Sequence, residues 1–80
     1  MSIIELEEKL DFTENSIREN LVATITRLQR EQVTSMNMDD LFRVTPTHGV
    51  MFPVPVYRRM FERIAKKICL QRAFPILGCN

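Results

Sequence analysis

Residues 14–32, ENSIRENLVATITRLQREQ, decide the fold. Ile17, Leu21, Ile25 and Leu28 recur at spacings of four, four and three, which places them on one stripe of an α-helix. Thr24 extends that stripe, while Arg18, Glu19, Arg27, Arg30 and Glu31 fall off it. So narrow a seam is half of a helix pair. It fits an intramolecular hairpin or a homodimer joined through Ile17, Leu21, Ile25 and Leu28 equally well.

Upstream, Ser2-Ile3-Ile4-Glu5 has the capping-box form, a hydroxyl followed three residues later by a carboxylate. It predicts a first short helix over about residues 3–10 with Ile3, Leu6 and Leu10 on one side. Asp11, Thr13 and Ser16 then compete as N-caps, and a tight turn is expected near residues 11–13 before the main helix.

Downstream, a polar break at Thr34-Ser35 precedes Asn37-Met38-Asp39-Asp40, which can start a short helix through Leu41, Phe42 and Val44. Thr45-Pro46-Thr47-His48-Gly49 ends it. Residues 50–55, Val-Met-Phe-Pro-Val-Pro, form the one extended Pro-containing segment expected. An edge strand is one reading; a linker that packs Phe52 and Val54 onto helices is favoured, because proline demotes a strand. The last helix is expected to begin near Pro55 and to run to about Arg72. Val56, Tyr57, Met60, Phe61, Ile64, Ala65 and Ile68 cover one half of its cylinder. Arg59, Arg63, Lys66 and Lys67 occupy an opposite arc, with Leu70 inside it where water would be expected.

These elements make a mainly α fold: a small bundle of three to four helices in a single domain over residues 1–80. The composition, 45% hydrophobic and 26% charged with two glycines, is that of a folded chain. Eighty residues bury a modest core, so helix packing or a shared core must supply the stability. No run of 18 apolar residues is present, and the acidic N-terminus MSIIELEEKL does not look like a signal peptide. A cytoplasmic location is the expectation.

Charge is divided sharply. Residues 1–40 hold nine acids and four bases, a net of −5, whereas residues 41–80 hold seven bases and one acid, a net of +6. Arginines outnumber lysines eight to three, and guanidinium groups suit bidentate contacts with carboxylate or phosphate. Arg58, Arg59, Arg63, Lys66, Lys67, Leu70 and Arg72 are therefore the candidate binding residues for a partner or for phosphate. Phe52, Val54, Phe74, Ile76 and Leu77 form a second candidate docking surface, with residues 73–80 as a docking tail.

Motifs for chemistry are sparse. His48, the single histidine, lies in a turn, and Cys69 and Cys79 do not match a zinc spacing or a disulfide framework. Asp39-Asp40 lacks the loop pattern of a calcium site, and two glycines cannot build a phosphate loop. No enzyme activity and no cofactor are expected. The reading is a small protein-interaction module, an adaptor, inhibitor or accessory subunit, with a larger protein partner and no membrane. A helical nucleic-acid-binding regulator using residues 56–72 is the alternative. The strongly acidic first half weighs against that alternative, because it would oppose phosphate unless it is turned away. The same acids offer the basic arc a third, intramolecular, set of counter-charges.

Overall fold

A computed structural model describes residues 2–47 and 52–78. Helix α1 spans Ile3–Arg30, strand β1 Met36–Asn37, helix α2 Met38–Val44, helix α3 Val54–Gln71 and strand β2 Ile76–Leu77. The mainly α bundle expected from the sequence is what the chain forms, with three helices among the described residues.

One expectation is corrected at once. Residues 3–30 form a single uninterrupted helix with no turn at 11–13. Neither proline nor glycine falls between Ile3 and Arg30, so nothing breaks the hydrogen-bond ladder there. Thr13 turns inward, 3% exposed, and its hydroxyl finds no partner rather than capping a second helix. Ser2 supplies the only N-cap needed: its hydroxyl accepts from the Glu5 N–H at 3.1 Å, and the Ser2 N–H donates back to Glu5 Oε2 at 3.4 Å. A helix of 28 residues is about 42 Å long, close to the molecule's longest dimension of 44 Å.

Helices α1 and α3 build the core. Ile17, Leu21, Ile25 and Leu28 are all 5% exposed or less, covered by Tyr57, Met60, Phe61, Ile64 and Ile68 of α3. The seam that could have joined two copies is therefore consumed inside one chain. Glu14 pairs with Arg63 and Thr26 with Arg72, early with early and late with late, so α1 and α3 run in the same sense. Helix α2 closes the core with buried Leu41 and with Phe42, whose ring meets Phe61 edge-on at 4.9 Å and Tyr57 at 6.1 Å. Asn37 caps α2 by accepting from the Asp40 N–H at 2.8 Å.

Both long helices end the same way. After α1, the Gln32 N–H reaches Gln29 O at 3.1 Å and the Val33 N–H reaches Leu28 O at 2.9 Å. After α3, the Ala73 N–H reaches Leu70 O at 3.4 Å and the Phe74 N–H reaches Cys69 O at 2.9 Å. These are Schellman motifs, and each requires a left-handed residue, here Gln32 at φ 67° and Ala73 at φ 53°. The reversal carries Phe74 into the core, where it is fully buried. It also brings Ile76 and Leu77 alongside Met36 and Asn37 as a two-residue parallel pair.

The extended segment differs from expectation. Val54 and Pro55 already belong to α3, whose N-cap Pro53 is extended at φ −53° and ψ 146°. Pro55, in the first turn, lacks an N–H that would have no partner there anyway. Phe52 packs partly against the core, but Val54, expected to pack with it, stays exposed on the first turn of α3. Val50 and Met51 lie outside the described residues.

Candidate protein-docking surface

The amphipathic pattern of α3 sets its orientation. With Tyr57, Phe61, Ile64 and Ile68 turned inward, residues Val56, Arg59, Arg63, Lys66 and Leu70 line up along the side facing away from the core. From Val56 to Leu70 this strip is about 21 Å long. Val56 is 44% exposed and Leu70 84%, so apolar side chains mark both ends with cations between them.

The basic residues divide into two groups. Arg58 is occupied internally: its guanidinium donates to Asp39, lies 3.7 Å from Glu62, and sits 4.7 Å over the Phe42 ring. Arg63 donates to Glu14 at 2.8 Å. Arg72 donates to Thr26 at 3.1 Å, while its carbonyl accepts from Gln29, so it fastens the end of α3 to α1. By contrast, Arg59, Lys66 and Lys67 are exposed and meet no acid among the described residues. Of the seven binding candidates, Arg58 and Arg72 thus hold the fold together, Arg63 is partly neutralised, and Arg59, Lys66, Lys67 and Leu70 face solvent unpaired. Among the described residues, pairing of N-terminal acids with the basic arc is realised only at Glu14.

Two grooves flank the strip. One, of about 450 Å³, is lined by Pro55, Val56, Arg59, Met60 and Arg63. The other, of about 380 Å³, lies between Lys66, Leu70, Phe74, Pro75 and Ile76 at the far end. The second candidate docking surface is accordingly split. Phe74 is removed from it by complete burial, because the left-handed Ala73 points the chain inward. Ile76 is half-buried against β1, whereas Leu77 is 55% exposed and Val54 67%. The tail, as far as Gly78, is part of the folded unit rather than a free arm.

Of the remaining candidates for chemistry, Cys69 lies among the described residues. Cys69 is buried, and burial pushes its thiol up to about 11, away from the thiolate that nucleophilic work needs. Burial likewise raises the Tyr57 hydroxyl, whose ring belongs to the core. His48 and Cys79 lie outside the described residues. Among the described residues there is no group of three potential metal ligands, and no helix is long and apolar enough to cross a membrane.

One surface is missed by the sequence reading. Splitting α1 at residues 11–13 hides the fact that Ile3, Leu6 and Leu10 continue the line of Thr13, Ile17 and Leu21 on one rigid helix. Buried residues on α1 begin only at Thr13; Ile3 is 75% exposed and Leu6 41%. The signal was present in the uninterrupted spacing of 3, 6, 10, 13 and 17. Comparison with protein-family models, with characterised protein sequences and with solved structures finds no match for the chain.

Proposed function

We propose that this protein is a small non-enzymatic protein-interaction module, an adaptor, inhibitor or accessory subunit, that engages an acidic protein surface through the outward strip of α3. The observation that carries this reading is Leu70, 84% exposed beside Lys66 at the rim of an apolar groove. An aliphatic side chain held in water on a rigid helix, flanked by uncompensated cations, is an anchor with its steering charges already in place. Leu70 supplies apolar area on docking, and Arg59, Lys66 and Lys67 supply orientation and encounter rate.

The same three cations favour a second reading, a nucleic-acid-binding regulator. Three phosphate contacts would give log K a slope of about −2.7 against log salt. Leu70, at the end of the strip beside Lys66, adds nothing to a phosphate contact.

Affinity capture from nuclease-treated lysate separates the two. A protein retained by the wild type and lost with both Leu70→Glu and Arg59→Glu/Lys66→Glu is the expected result. Retention by both variants overturns the protein-docking role of α3, and capture that nuclease abolishes moves the function to the nucleic-acid reading.

A further inference from the structure

The strip on α3 has a complement elsewhere on the same chain. The first turns of α1, residues 3–12, carry Glu5, Glu7, Glu8 and Asp11 against Lys9, a net of −3. They expose Ile3, Ile4, Leu6 and Phe12. Glu7 and Asp11 continue the edge of α1 on which Glu14 already salt-bridges Arg63 at 2.8 Å. An acidic helix edge beside an apolar stripe is the chemistry that the Val56–Leu70 strip selects.

The two surfaces cannot meet within one molecule. Helix α1 has no hinge between Ile3 and Arg30, so its first turns cannot fold back. The strip on α3, in turn, faces away from the core that α1 covers. Among the described acids of α1, only Glu14, at the point where the helices touch, reaches a base of α3.

We infer that a second copy of the chain is the occupant: Ile3, Leu6 and Leu10 of one protomer seat on the α3 strip of the other, with Glu7 and Asp11 opposite Arg59 and Lys66. The inference rests on the reading of α3 as a protein-docking strip and names what docks there. Each copy offers one acidic end and one basic strip, so a two-fold arrangement satisfies both and closes without growing further. A three-turn helical end is small against the roughly 1,600 Å² of a specific interface, and two-fold symmetry uses it twice. Pairing of the two α1 ends with each other is opposed by the net −3 that each carries.

Light scattering on the purified full-length chain, over a concentration series at low salt, tests this directly. The expected wild-type mass rises from 9.4 kDa toward twice that value, and added salt reverses the rise. Glu7→Lys/Asp11→Lys and Arg59→Glu/Lys66→Glu each stay monomeric at concentrations where the wild type is dimeric, with unchanged circular dichroism. Mixed in equal amounts, the two variants re-form a dimer, because each acidic or basic surface again meets its opposite. A wild type that stays monomeric overturns the inference, as does a dimer that neither variant weakens, or a mixture that stays monomeric. A mass increase that needs added oligonucleotide overturns it too. A monomeric wild type that still captures a different acidic protein through Arg59 and Lys66 leaves the proposed function standing. A monomer that captures none removes both.

Discussion

Cys69 shows how burial sets the chemistry of a single side chain here. It belongs to the buried apolar core cluster and is 4% exposed. The thiolate is disfavoured there, which moves the thiol from 9.0 to about 11. In the folded state the thiol then holds its proton through a pH range in which the unfolded chain gives it up. The stabilisation is fully present below pH 9 and is lost as pH rises from 9 toward 11. Urea unfolding of a Cys79→Ser background is expected to show a midpoint that falls over that window, with Cys69→Ala removing this part of the fall. Arg58 makes the companion point about charge. Asp39, Glu62 and the Phe42 ring surround it, so a residue whose sequence context suggests a binding surface serves α2–α3 packing.

At the level of elements, the ends of the helices carry the information that the middles do not. Gln32 and Ala73 occupy the left-handed position that glycine usually fills, at a cost of about 1 kcal/mol for a residue with a Cβ. Ala73→Gly is expected to raise the unfolding free energy by up to about 1 kcal/mol, offset in part by the greater freedom of glycine in the unfolded chain. Chemical denaturation measures this; a loss of stability would mean that the Ala73 methyl makes a contact worth more than the strain. The absence of glycine at both positions is why neither reversal, and hence neither strand, is legible in the sequence. A two-residue parallel pair carries no alternation, and its register at Met36–Ile76 follows from where the α3 reversal delivers the chain. The limits of α2 and α3, by contrast, are legible, because Asn37, Pro46 and Pro55 act locally.

Over the whole molecule, the core is one cluster shared by α1, α2, α3 and the tail. Phe74 is among its largest fully buried side chains, so residues 73–80 cannot be removed as an appendage. Deleting them is expected to unfold the domain, and Phe74→Ala alone to cost about 3–5 kcal/mol, a large part of the stability available to 80 residues. Leu70→Glu, on the surface, is expected to change stability by no more than about 0.5 kcal/mol. Thermal unfolding of the three proteins checks the contrast, and it makes Leu70→Glu rather than truncation the informative probe of docking. Native-like melting of the truncated chain would show the tail to be dispensable.

The buried faces of the two long helices are legible in the sequence, although the unbroken length of α1 is not. Periodicity at Ile17, Leu21, Ile25 and Leu28 marks the seam of α1, the inward half of α3 follows from Tyr57 to Ile68, and Leu70 stands out within the basic arc. These are properties of spacing along one helix, which a linear pattern encodes completely. Tertiary structure alone decided which charges were spent. Arg58, Arg63 and Arg72 find partners contributed by α1 and α2, while Arg59, Lys66 and Lys67 find none among the described residues. It also decided that the acidic first turns of α1, held straight by an unbroken ladder, stand apart from the basic strip they match. Coulombic pairing depends on distance in space, and no spacing along the chain reports it.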